Sequence, residues 1–181
     1  MDAYNENKSE LALRLMEACA LSGDALACYM AALWRRNGEG APVDAEQSEK
    51  WLTRLEELAY QGNITAQWEL GQQYRFGDLL PLDVQRANYW LERAAESGCG
   101  AAQHHLGWFY ETGQYEYPVD PKAAELWYQR AFAQEYPETL YLYAIRKFRD
   151  GRPTDEAISL LRKAAAMGFT QAVDLLRSYT H

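Results

Sequence analysis

Apolar and small residues in this chain recur every three to four positions, and the same arrangement returns four times. Four segments align: SGDALACYMAALWRRNG from Ser22, QGNITAQWELGQQYRFG from Gln61, SGCGAAQHHLGWFYETG from Ser97 and QEYPETLYLYAIRKFRDG from Gln134. Counted from Gly23, Gly62, Gly98 and Glu135, a small residue falls four positions on (Ala27, Ala66, Ala102, Thr139) and nine positions on (Ala32, Gly71, Gly107, Ala144). A glycine closes each segment at Gly38, Gly77, Gly113 and, one position late, Gly151. That period is helical, and its return at a fixed interval marks a repeat array.

A second helical pattern follows each of these A helices. Asp44, Asp83 and Asp120 each precede a small residue by four positions and a tryptophan by seven: Ser48 and Trp51, Ala87 and Trp90, Ala124 and Trp127. The fourth B helix has Pro153 in place of the acid, then Ala157 and Leu160. From Ser48 to Ala87, Ala124 and Ala157 the spacing is 39, 37 and 33 residues. Each acid is placed to cap a helix N-terminus, with proline at N1 after Asp120 and Gln47 three residues after Asp44, and the glycines suit left-handed C-caps. Small residues at fixed positions let paired helices approach closely, and the repeated tryptophan fills the wider gap between pairs. The core is expected at positions +4, +8, +9 and +12 of each A helix. No run alternates long enough for a strand. About ten helices result: one over residues 8–21, four pairs over approximately 23–61, 62–97, 98–134 and 135–167, and a last helix over 169–179, all in a single domain spanning 1–181.

The spaced pattern G…A…LG..Y..G followed by D…A..W…AA..G resembles the Sel1-like repeat family, which is related to tetratricopeptide repeats. It is clearest over residues 62–113, where Gly62, Ala66, Leu70, Gly71, Tyr74, Gly77, Asp83, Ala87, Trp90, Ala94, Ala95, Gly98, Ala102, Leu106, Gly107, Tyr110 and Gly113 fall in register. The first and fourth repeats depart, with Ala32 and Ala144 at the LG glycine, and the first B helix carries three extra residues between Trp51 and Gly62. The resemblance implies an all-α, right-handed α/α superhelical solenoid of about four helical-hairpin repeats plus flanking helices. It also implies a non-enzymatic bacterial adaptor or scaffold that binds a protein or peptide in its concave groove.

Composition narrows the partners. The 181 residues carry 18 Lys and Arg against 26 Asp and Glu, a net charge of −8. Nucleic acid and anionic membranes demand a basic face, so both are excluded as main partners, and a basic protein is favoured. The acid is concentrated before residue 141, with 22 acidic and 11 basic residues there against 4 and 7 afterwards. No apolar run is long enough to span a bilayer, and MDAYNENKSELALRLMEA has neither a basic start nor a clean apolar stretch, so no leader is expected. Three cysteines, Cys19, Cys28 and Cys99, without CxxC spacing, suit a reducing cytoplasm. The hydrophobic ends allow a monomer or a weak dimer.

Helical rotation of 100° per residue leaves positions +6, +10 and +13 of the A helices facing the groove. Position +6 holds Tyr29, Trp68, His104 and Tyr141; position +10 holds Leu33, Gln72, Trp108 and Ile145; position +13 holds Arg36, Arg75, Glu111 and Phe148. Flat aromatic groups repeated on one face suit a protein-binding anchor row, with the charges setting orientation. Packing of Tyr29 and Tyr141 between adjacent A helices is the competing expectation. No nucleophile, phosphate-loop or metal motif appears. His104 and His105 project about 100° apart and cannot chelate one ion as an i, i+4 pair can, so no metal or other cofactor is expected. Two alternatives remain: an immunity protein that neutralises a secreted bacterial toxin by binding it, and a Sel1-like hydrolase using the groove around His104.

Overall fold

The computed structural model describes residues 2–149 and 151–179; Met1 and His181 lie outside them. Among the described residues there are ten helices: α1 (Asp2–Leu21), α2 (Ala25–Asn37), α3 (Ala45–Tyr60), α4 (Ile64–Phe76), α5 (Val84–Glu96), α6 (Gly100–Thr112), α7 (Pro121–Ala133), α8 (Pro137–Arg146), α9 (Asp155–Ala166) and α10 (Thr170–Tyr179). The chain forms two compact units, Met1–Gly98 and Cys99–His181, divided in sequence at a repeat boundary. In the first unit each helix packs on the next, and α2 also touches α4. In the second, α6 packs on α7, α7 on α8, α8 on α9 and α9 on α10. The fold class is all-α, built from helical hairpins.

The predicted caps form. Asp44, Asp83 and Asp120 accept hydrogen bonds from the backbone N–H groups of Gln47, Arg86 and Ala123, respectively, at 2.9–3.1 Å. Gly38, Gly77 and Gly113 close α2, α4 and α6 in the left-handed conformation. Each loop is then tied back, since Asp44, Asp83 and Asp120 donate their backbone N–H to the carbonyls of Arg35, Tyr74 and Tyr110.

Small residues serve the close approaches they were placed for. A Cβ added to Gly71 would lie 2.8 Å from Leu91 Cγ, and one added to Gly107 would lie 2.7 Å from Tyr128 Cδ1. Ala27, Ala66, Ala102 and Thr139 are buried, as are Ala32 and Ala144. Position +5 is sealed as well, by Cys28, Gln67, Gln103 and Leu140. Position +12 is mixed: Tyr74 is buried, whereas Arg35, Tyr110 and Lys147 are half-buried. The inner stripe of the A helix is therefore wider than expected on its +5 side. Trp90 is buried in the first unit's core, where Tyr60 of the preceding B helix meets it edge-on at 4.8 Å; Trp51 and Trp127 are half-buried.

The fourth repeat departs from the expected local pattern in three places, within an all-α fold. Gly151 does not close α8, which ends at Arg146 with Lys147 as its cap. Instead β1 (Phe148–Arg149) pairs antiparallel with β2 (Arg152–Pro153), with Gly151 at φ +73° in the turn. The Asp-Gly dipeptide is a hairpin signal in two residues, far too short for a search for alternation to register. Thr154, not Pro153, caps α9, accepting from the Ala157 N–H at 3.2 Å. At the other end, the first helix begins at Asp2 rather than at residue 8.

Candidate functional site

The candidate rows lie in both units, and each half has its own surroundings. In the first unit Tyr29 packs against the core formed by α1 to α5, alongside Met16, Trp51 and Leu80. Leu33, Trp68, Gln72 and Arg75 are half-buried, and Arg36 is exposed. Arg36 donates from Nη1 to the Leu79 carbonyl at 2.5 Å, so the guanidinium ties α2 to the loop after α4. The Arg75 guanidinium stacks 4.4 Å from the centre of the Phe76 ring.

In the second unit the +6 side chains are engaged in packing. Tyr141 meets Phe169 at 5.4 Å within the core of α8 to α10. His104 sits against the rings of Tyr128 and Tyr136, at 5.5 and 5.7 Å, and its Nδ1 is 2.9 Å from the Thr139 hydroxyl. Burial, reinforced by the neighbouring His105, lowers its pKa to about 4. At neutral pH the ring is therefore uncharged and held as a packing group, with a hydroxyl rather than a carboxylate as partner. Trp108 is half-buried and tilts against Phe109 at 5.4 Å.

Glu111 belongs to a polar network that the spacing of the repeats does not announce. Tyr128 donates its hydroxyl to Glu111 Oε2 at 2.7 Å, and Tyr143 donates to Glu125 Oε1 at 2.5 Å. Arg146 bridges both carboxylates, with Nη2 3.3 Å from Glu111 and Nη1 3.1 Å from Glu125, and its guanidinium lies over both phenol rings at 5.3 and 5.5 Å. The Tyr143 hydrogen bond, above the smaller contributions of Gln129 and Arg146, holds the Glu125 carboxyl below its usual range. Burial first, and the hydrogen bonds to carboxylates second, push both phenols up, so both hydroxyls stay protonated as donors across the physiological range. The corresponding feature of the first unit joins Glu17 to Arg35, with bonds of 2.7 and 3.0 Å, and to the Trp51 indole N–H at 3.3 Å. Sequence reasoning missed both clusters because their members sit on different helices at no fixed interval.

Among the described residues no group of three or more His, Cys, Asp or Glu side chains could hold a metal ion, and no helix is long and apolar enough to cross a membrane.

Stacked helical hairpins with small residues at the contacts and glycine-closed A helices define a helical-repeat protein. Sel1 repeats match residues 25–60, 64–99, 100–136 and 141–169, and the chain belongs to the Sel1 repeat family. A Sel1 repeat protein from Oxalobacter formigenes is 28% identical, with a TM-score of 0.67 over 94% of this chain and 49% of that one. The protein c5321, a protective antigen present in uropathogenic Escherichia coli strains that displays an SLR fold, is 28% identical, with a TM-score of 0.64 over 91% of this chain and 35% of that one. The chain thus spans about half of the first and about a third of the second. The immunity protein Pa5087 from Pseudomonas aeruginosa is 14% identical, with a TM-score of 0.45 over 88% of this chain and 73% of that one, a likeness too slight to bear on function. No curated protein matches the sequence.

Proposed function

We propose that this chain is a non-enzymatic interaction module that holds a protein or peptide on the outward rows of its A helices. Sel1 repeats generally mediate protein–protein interaction, and the chain belongs to that family. The observation that carries the reading is the split of each A helix into a sealed stripe and an open one. Positions +4, +5 and +9 are buried throughout, while +10 and +13 keep Leu33, Gln72 and Trp108 half-exposed and Arg36, Glu111 and Ile145 exposed. Phe148, expected at +13 of the fourth A helix, lies instead beyond α8 in β1 and packs on the core of the second unit. The +6 residues Tyr29, His104 and Tyr141 pack within their own units, and Trp68 in the first unit and Trp108 in the second are the large anchors, each on its own unit. The net charge of −8 favours a basic partner, whose association is steered by charge and weakened by salt. A toxin with a basic active site would be one such partner, and rescue of cells expressing that toxin would separate an immunity role from an adaptor role.

The test is quantitative capture from the native host with wild-type protein and with Trp68→Ser/Trp108→Ser, backed by Leu33→Ser/Arg36→Glu on exposed and half-exposed positions. A partner enriched by wild type should fall at least about tenfold with either variant while circular dichroism stays unchanged. Equal capture by all three proteins would overturn the assignment of the site.

A further inference from the structure

The first B helix, α3, has 16 residues where α5 and α7 have 13. Its Trp51 stands seven residues after the capping Asp44, as Trp90 stands after Asp83, so the two tryptophans are equivalent. Their surroundings are not. Trp90 is covered edge-on by Tyr60, which lies two residues before Gly62 at the end of the preceding B helix. The residue two before Gly23, at the end of α1, is Leu21. Leucine leaves the place of the tyrosine ring open, and an open recess of about 580 Å³ lies there, lined by Glu17, Leu21, Arg35, Lys50, Trp51 and Arg54 among others.

The floor of this recess is preorganised. The Trp51 indole is fixed by its hydrogen bond to Glu17, whose carboxylate is also taken bidentately by Arg35, and both members of that ion pair are about four-fifths buried. The rim is different. Lys50 and Arg54 stand one helical turn apart beside Trp51, and their ion pairs among the described residues are with exposed acids of the same helix, Glu46 and Glu57. Exposed pairs within one helix hold weakly and exchange readily for a better-placed anion. The rim is mixed in charge, since Glu57 lines it beside the two cations, and an incoming anion competes with these exposed acids for them.

We propose that the recess binds the C-terminal residue of a peptide that ends in an aromatic side chain. The ring takes the place against Trp51 that Tyr60 occupies against Trp90, and the free carboxylate lies between Lys50 and Arg54. A carboxylate borne by the same residue as the ring reaches both cations while the ring stays on the floor, because the cations flank Trp51 along α3. This site lies on the α1 and α3 side of the first unit and does not depend on the A-helix rows.

Fluorescence anisotropy with a fluorescein-labelled peptide ending in Gly-Gly-Phe tests it, comparing the free acid with the C-terminal amide on the full chain. Saturable binding of the acid is expected, at least about tenfold weaker for the amide and for Lys50→Gln/Arg54→Gln, and abolished by Leu21→Tyr, which fills the recess from within. The Lys50→Gln/Arg54→Gln variant changes only exposed or half-exposed charges, so it remains informative if Leu21→Tyr disturbs folding. Trp68→Ser/Trp108→Ser should bind the peptide as wild type does, which separates failure here from failure of the A-helix site. No saturable binding of the acid, or equal binding of acid and amide, overturns the proposal.

Discussion

Replacing His104 by glutamine should flatten the acid end of the stability profile. His104 has an ordinary pKa of 6.5 in the unfolded chain and about 4 in the fold, because burial and the adjacent His105 both disfavour the imidazolium. Between these two values the unfolded chain binds the proton and the folded chain does not, so acidification favours unfolding. The stabilising contribution is fully present above pH 6.5 and is lost as pH falls towards 4. From those two values, moving from pH 7 to pH 5 costs the wild type about 2 kcal/mol through this one ring. Glutamine keeps a group able to hydrogen-bond Thr139 but cannot take up a proton. Urea denaturation followed by circular dichroism at pH 7 and pH 5 gives the loss for each protein. Glu125 and the remaining carboxylates titrate in both, so they cancel in the comparison. The wild type should lose about 2 kcal/mol more than His104→Gln over that interval. Equal losses would show that the ring is hydrated enough to protonate freely in the fold, and the packing role assigned to it would be wrong.

Two further substitutions probe the helix contacts. Gly107→Ala would put a methyl group 2.7 Å from the Tyr128 ring, which cannot swing aside without giving up its hydrogen bond to Glu111; a loss of about 2–3 kcal/mol in urea denaturation is expected, and a loss under 0.5 kcal/mol would refute the close-approach argument. Ser97→Gln should stabilise by about 1 kcal/mol, because Gln67 Oε1 is buried without a hydrogen-bond partner whereas its counterpart Gln103 Oε1 accepts from Gln134 Nε2 at 2.7 Å, and Ser97 occupies the place of Gln134; an unchanged urea midpoint would count against it.

The fold was legible because helix stacking makes the same demand of every repeat. Ala27, Ala66 and Ala102 recur where backbones come close, and Asp44, Asp83 and Asp120 recur where a helix must start, so spacing alone locates them. The hairpin at Phe148–Pro153 broke the period and was invisible to it. Burial at position +5 was missed for another reason. Gln67 and Gln103 read as surface residues by polarity, yet Gln67 is inside because its Nε2 finds the Ala59 carbonyl at 3.1 Å. The candidate rows were legible as positions but not as environments. Whether a +6 side chain faces a partner or the next helix depends on residues one repeat away, as with His104 and Thr139, 35 positions apart.

That distinction separates what recurs in this chain from what can specify a partner. Positions that agree between repeats are those where a change would push two helices apart, as at Gly71 against Leu91 and Gly107 against Tyr128. Position +13 reads Arg36, Arg75, Glu111 and Phe148, with no charge or shape in common, because stacking asks nothing of it. The same logic applies on the B helices, where the tryptophan recurs but the residue at the covering position changes from Tyr60, which meets Trp90, to Leu21, which leaves a recess beside Trp51. A departure from the repeat costs little stability where the side chain faces solvent, and it is the only place where one copy of the unit can acquire a property that the others lack. Recognition by this protein should therefore be sought at its irregular positions, and substitutions that restore the repeat there, such as Leu21→Tyr, should remove binding while leaving the helices intact.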